Sequence, residues 1–277
     1  MMKKTTQVRP GREKKMRPVP DSQPGALQKK LVGKVVLITG GDSGIGKAVA
    51  ILFAQHGAQL AISYLNEHED AADTKAQVEA YGQQCLLIPG DLSKEAHCKK
   101  IVSLTLKKFK KLDVLVNNAA IHYPAKTLDQ ITTPNFLHSF RVNFFSYFFT
   151  TKAALPHLKK GACIINTASV VAFRGSSELM DYAATKGAIV SFTRSLSLNL
   201  AGKSIRVNGV APGPIWTPLI PSSFKNKGLK KHGADTPLGR TGQPNEVAPS
   251  YLFLACDDSS YINGQFLHPN GGEIVNT

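Results

Sequence analysis

At 277 residues and 42% apolar, the chain has the size and composition of one sizeable globular core. No apolar run approaches the roughly 20 residues that cross a bilayer. Four scattered cysteines (Cys85, Cys98, Cys163, Cys256) lack CxxC spacing and histidines at metal-ligand distance, so neither a disulfide framework nor a metal centre is expected, and free thiols in a reducing cytosol are.

The net charge of +15 is uneven: residues 1–30 carry nine Lys/Arg against two acids, a net +7, and leave +8 to the rest. Pro10, Pro18, Pro20 and Pro24 and the sparse, scattered apolar side chains leave this extension no core of its own. It has no apolar h-region, so no secretory signal is expected; its basic character keeps a transit peptide open. The folded unit is expected to begin near Leu31 and to occupy residues 31–277.

From Leu31 onward, apolar runs alternate with amphipathic stretches. Val35–Ile38 predicts a strand buried on both faces, followed by a glycine turn and a helix to about His56. Further strands are expected at Gln59–Tyr64, Cys85–Ile88, Asp113–Val116, Ala162–Asn166, Ile205–Val210 and Gln265–His268. One long helix is expected over Pro134–Leu158, a second from around Tyr182 to Leu200, and a third over Glu246–Ala255. Seven strands separated by helices imply a Rossmann-type doubly wound parallel sheet in a single α/β domain.

Two features carry chemistry. The segment Thr39-Gly40-Gly41-Asp42-Ser43-Gly44-Ile45-Gly46 follows the first strand directly and opens a helix. Glycines there allow a tight turn and a close approach of backbone to a diphosphate, while the helix start offers free N–H groups. Farther on, Tyr182 and Lys186 stand four apart, on one helix face, which sets an ammonium beside a phenol. A charge about 4 Å away is worth on the order of 4 kcal/mol at an effective dielectric of 20, about three pKa units. Lys186 is therefore expected to bring the Tyr182 phenol toward neutrality, as a proton donor to a carbonyl oxygen requires.

With Asp91-Leu92, Asn117-Asn118-Ala119-Ala120, Asn143, Ser169, Tyr182-Ala183-Ala184-Thr185-Lys186 and Pro212-Gly213 all in order, the chain resembles the short-chain dehydrogenase/reductase family over residues 31–277. Ala120 departs from the glycine usual in that family. The Gly11–Asp21 stretch and Gly213–Pro218 are similar to a bacterial branch with basic amino-terminal extensions, made up of general-stress oxidoreductases and aldehyde reductases.

The resemblance implies a catalytic set of Asn143, Ser169, Tyr182 and Lys186. Tyr182 would be the general acid and base, Lys186 would also hold the nicotinamide ribose, Ser169 would bind the substrate oxygen, and Asn143 would position a water leading to Lys186. Gly40, Asp42, Ser43, Gly44, Ile45 and Gly46 would hold the diphosphate. Asp91 and Leu92 would take the adenine, Asn118, Ala119 and Ala120 the adenosine side, and Pro212, Gly213, Ile215 and Thr217 the nicotinamide side. At the end of the second strand, Ser63-Tyr64-Leu65-Asn66 holds no acid and Glu67 is read as too far along. The coenzyme is therefore expected to be NADP, its phosphate held by Ser43, Ser63, Tyr64 and Asn66 with Leu65 also at the cofactor, and NAD is also admitted.

The stretch from Gly213 to about Arg240 is expected to fold over the cavity as a substrate loop. Its lysines, Lys225, Lys227, Lys230 and Lys231, are read as a solvated face. Val171, Phe173, Met180 and Trp216 are expected as an apolar wall for an aldehyde, ketone or alcohol. His122, His138, His157, His232 and His268 are read as polar or core residues, because no triad with Ser169 is arguable and Ser169 lies outside GxSxG. A cytoplasmic homotetramer is expected. Two other readings stand beside the enzyme: a dinucleotide-binding sensor without turnover, and a polyanion binder using the basic tail. The tail has no aromatic residue for base stacking, which argues against nucleic acid and for a segment draped over a subunit.

Overall fold

Within the first strand, Val36 and Ile38 point to one side and Leu37 to the other, and all three are fully buried. A strand of that kind needs helices on both faces. A computed structural model describes residues 29–224 and 232–275 and has this arrangement. Most of the basic extension (residues 1–28) and all four loop lysines fall outside the described residues. Leu31, fully buried, donates its N–H to the His56 carbonyl at 3.0 Å.

The seven strands are β1 (Val35–Thr39), β2 (Gln59–Tyr64), β3 (Cys85–Pro89), β4 (Val114–Asn117), β5 (Cys163–Thr167), β6 (Arg206–Val210) and β7 (Phe266–Leu267). They form one parallel sheet in the order β3-β2-β1-β4-β5-β6-β7. The order reverses between β1 and β4. In open sheets that is where a crevice forms outside the carboxyl ends of the strands.

Helices α1 (Gly44–Gln55) and α2 (His68–Glu79) cover one face of the sheet, and α3 (Glu95–Phe109) the other. Next come α4 (Thr133–Phe140) and α5 (Ser146–Ala154), then the short α6 (Val171–Arg174), the long α7 (Met180–Leu200) and the short α8 (Leu219–Ser223), and finally α9 (Pro244–Ala255). Helix α9 packs beside α1, α5 beside α3, and α7 beside α4 and over β6. All four cysteines are buried and free.

One expectation needs correction. The helix from Pro134 to Leu158 is not continuous: a five-residue π turn at Arg141–Phe145 separates α4 from α5, and a 3₁₀ turn at Leu155–His157 ends it. Such a turn inserts one extra residue per turn and re-aims a side chain, and it recurs at functional sites. Asn143 lies at its centre, fully buried.

Candidate active site

At the carboxyl ends of β1 and β4 a cavity of about 1150 Å³ opens. A drug-sized ligand takes roughly 300–1,000 Å³, so this one has room for an extended molecule and a small second one. Its lining runs from the glycine turn, past the ends of β2, β3 and β4, to Ser169, Tyr182 and Lys186, and under the loop after β6.

The glycine turn has a steric reason for its composition. Gly40 sits at φ +63, in the left-handed region. A methyl group added to Gly46 would lie 1.8 Å from the Gly40 carbonyl oxygen, so backbone meets backbone there. Asn118 locks the turn: its side-chain amide donates to the carbonyls of Thr39 (3.2 Å) and Gly40 (3.0 Å). Ser43, the N-cap of α1, makes no side-chain cap bond, and no acid occupies the first turn. The first N–H groups of α1 are thus left for an anion in the cavity, which fits a dinucleotide diphosphate.

Most of the predicted dinucleotide residues line this cavity: Gly40, Asp42, Ser43, Gly44, Ile45, Tyr64, Leu65, Asp91, Leu92, Asn118, Ala119, Ala120, Pro212, Gly213, Ile215 and Thr217. Gly46 lies behind the turn it permits. Asn66 is not part of the lining; its N–H donates to the Glu67 carboxylate at 3.0 Å, and Glu67 and Asp70 line the cavity instead. The end of β2 is therefore not free of acid, because the short turn into α2 brings Glu67, at its N-cap, and Asp70, in its first turn, to the cavity. Burial raises the Asp42 carboxyl, and Glu67 and Asp70 add to that rise.

At the other end, α7 begins at Met180 and presents Tyr182 and Lys186 on its inner face. Tyr182 is 9% exposed and Lys186 fully buried. The Lys186 ammonium donates to the Thr167 carbonyl at 2.7 Å and stands 5.4 Å from the ring centres of both Tyr147 and Tyr182. Ser169, just past β5, is the third group on this wall.

The electrostatics differ from the sequence-based expectation. Burial pushes the Tyr182 phenol well above the ordinary tyrosine value, opposed by its hydrogen bond with Ser169, and burial pulls Lys186 down to about 7. Desolvation sets the direction for both, with no charge attraction between them to offset it, and the ammonium spends its hydrogen bond on a carbonyl. Asn143 lies one layer back, outside the lining. Its carbonyl accepts from the Ile121 N–H (2.8 Å), and its amide donates to the Ile121 carbonyl (2.9 Å) and the Thr185 hydroxyl (3.2 Å). It clamps the segment after β4 to α7.

The expected apolar wall is only partly present. Val171 lines the cavity, whereas Phe173 packs on Phe266 and His268, Trp216 is 46% exposed, and Met180 is not in the lining. Leu179, Ile220 and Phe224 stand there instead. The loop after β6 does lie over the cavity, through α8 and through His232, Gly233 and Asp235. Three of the histidines read as polar or core residues, His122, His138 and His232, also line it. For His122 a signal existed: it stands two residues after Asn117–Ala120, and the residues after a strand's carboxyl end reach the crevice.

Comparison with known proteins agrees with this geometry. A family model described as enoyl-(acyl carrier protein) reductase matches residues 40–273. The uncharacterized oxidoreductase YhxC of Bacillus subtilis (strain 168) is 55% identical over 267 residues, spanning 96% of this chain and 94% of its own. The NADPH-dependent aldehyde reductase 1, chloroplastic, of Arabidopsis thaliana is 50% identical over 283 residues, spanning 99% of this chain and 98% of its own. The crystal structure of a short chain dehydrogenase from Burkholderia cenocepacia J2315 in complex with NADP superposes with a TM-score of 0.82 at 32% identity, covering 88% of this chain and 98% of that one.

Proposed function

This chain belongs to the short-chain dehydrogenase/reductase family, and on that premise we propose that it interconverts a small aldehyde or ketone with its alcohol, Tyr182 serving as general acid and base. The observation that carries the reading is the meeting of Ser169, Tyr182 and Lys186 on one wall of a cavity whose far end is the glycine turn.

The coenzyme in this reading is NADP(H), with NAD(H) also admitted; the Burkholderia structure holds NADP, and the Arabidopsis relative is named for NADPH. The turn at Thr39–Gly46 and the start of α1 would hold the diphosphate, Asp91, Leu92 and Asn118–Ala120 the adenosine side, and Pro212, Gly213, Ile215 and Thr217 the nicotinamide. When bound, that ring supplies or accepts the hydride. Glu67 and Asp70 oppose a 2′-phosphate, so the preference for NADPH over NADH is modest, and Glu67→Gln widens it several-fold in steady-state kcat/KM. An unchanged ratio would place the ribose away from Glu67.

Within the chain, the Ser169 hydroxyl donates to the substrate oxygen and turns it toward Tyr182. Tyr182 gives its phenolic proton to that oxygen as charge develops there, and removes the proton in the reverse direction. Lys186, when protonated, offsets the charge left on the phenolate. Asn143 holds the segment after β4 against α7, keeping the wall in register.

The exposed aromatic side chains of α4, the π turn and α5, among them Phe136, Phe145 and Phe148 at about 40% exposure, support a homotetramer. Buried free thiols support a cytoplasmic location. No helix among the described residues is long and apolar enough to cross a membrane.

Coenzyme oxidation with NADPH and, separately, NADH across short and aromatic aldehydes tests the reading. Turnover in the wild type that Tyr182→Phe lowers by about 10²-fold or more supports it. Coenzyme binding with no turnover of any carbonyl or alcohol would favour the sensor instead.

A further inference from the structure

His122 is placed more tightly than a residue of a connecting segment usually is. Its neighbour Ile121 is bonded through both backbone groups by Asn143, at 2.8 and 2.9 Å. The His122 ring is 6% exposed and still lines the cavity. It meets the Tyr182 ring edge-on, with centroids 5.3 Å apart, and on another side lies 5.4 Å from the ring of Phe224.

Its two nitrogens differ. Nδ1 is sealed, and no described residue bonds to it. A proton on Nδ1 would bury an unpaired donor, whereas a proton on Nε2 leaves only a lone pair sealed, the cheaper choice. Burial pulls the imidazole down to about 4; the residue's own backbone and then the Asp181 carboxylate work upward, and Lys186 and His232 further downward. The ring is therefore neutral at ordinary pH, with Nε2–H as the donor it can turn to the contents of the cavity.

Ser169 and Lys186 are the polar groups on Tyr182's own wall, and the side chains packed with it are apolar: Ala120, Val170, Val171 and Leu179. A polar atom of the ligand on this side has His122 to bond to. A carboxylate is a poor match for it, since Arg174 on the cavity wall is already paired with Glu273 at 2.6 Å, and Glu178 and Asp235 also line the space.

We propose that His122 Nε2–H donates a hydrogen bond to a hydroxyl group one or two carbons from the reacting carbonyl, so that hydroxy-aldehydes and hydroxy-ketones are the preferred substrates. This rests on the reading that Tyr182 holds the carbonyl oxygen. A site that hydrogen-bonds a substrate hydroxyl discriminates against the analogue that lacks it.

The test compares glyceraldehyde with propanal, which share a carbon chain, in wild type, His122→Phe and His122→Gln at saturating coenzyme. The wild type is expected to favour glyceraldehyde in kcat/KM. His122→Phe, which fills the space without a donor, should lower the glyceraldehyde-to-propanal ratio about ten-fold, the size of one neutral hydrogen bond. His122→Gln, with an amide N–H of similar reach, should restore part of the ratio. A ratio unchanged by both substitutions, with turnover intact, overturns the proposal and leaves the oxidoreductase reading standing. Titration of glycerol against propan-1-ol into the coenzyme complex by calorimetry needs no turnover. A preference for glycerol that His122→Phe abolishes supports the hydrogen bond even where no aldehyde is reduced, and equal affinities in the wild type overturn it.

Discussion

Lys186 is where burial and charge conflict most sharply. Its pKa drops from the ordinary lysine value of 10.5 to about 7 on folding, because no solvent reaches the ammonium. A base whose affinity falls on folding costs stability wherever the unfolded chain is charged. The cost is full below about pH 7, shrinks as pH rises from 7 toward 10.5, and is gone above that. At neutrality it is on the order of several kcal/mol. Lys186→Met is therefore expected to be more stable than the wild type to urea near pH 7, with the gap closing by about pH 10. A gap that does not change with pH would mean the ammonium is solvated. At this scale the sequence was legible where spacing determines direction: Tyr182 and Lys186 share a helix face whatever surrounds them. It was not legible where direction depends on the path of a segment. Glu67 reaches the cavity because the short turn after β2 sets it at the N-cap of α2, and Trp216 turns out because its N–H bonds to the Gly242 carbonyl at 2.9 Å.

Among the elements, the glycine turn before α1 and the π turn before α5 do opposite things to their backbones. The first is pressed against its own chain, with no space for a side chain at Gly46. Gly46→Ala must push the Gly40 carbonyl aside and disturb the Asn118 bonds that hold it. The expected result is a protein whose Tm no longer rises with NADPH, at a stability cost of roughly 1–3 kcal/mol. A normal coenzyme-dependent rise in Tm would show that the turn has slack. The π turn instead frees space, letting Asn143 reach Ile121 and Thr185 together. The strands were legible because buried parallel strands are continuous apolar runs, and each observed one lies within a residue or so of its expected place. The break in the α4–α5 helix was not, since one extra residue in a turn leaves an aromatic-rich pattern intact to the eye.

Over the whole molecule, the sheet gathers the chemistry at one pole, and the aromatic face of α4, the π turn and α5 is left facing outward. Phe148, 40% exposed, packs against Phe149 and Phe192, and Phe149 in turn against Phe145. If that face joins copies of the chain, Phe148→Glu should reduce the mass found by light scattering from four copies to a smaller species, with the fold unchanged in far-UV circular dichroism. A tetramer that survives would place the contact elsewhere. The account as a whole depends on hydride moving between a nicotinamide at the glycine-turn end and a carbonyl at the Tyr182 end of one cavity. The most direct check supplies NADPH deuterated at the transferring position of C4 together with an aldehyde, and locates the label in the alcohol by mass spectrometry. The account predicts one deuterium on the carbinol carbon with wild-type protein, and a loss of labelled product with Tyr182→Phe while coenzyme still binds. Alcohol that forms without the label, or a Tyr182→Phe protein that transfers it at the wild-type rate, would contradict it.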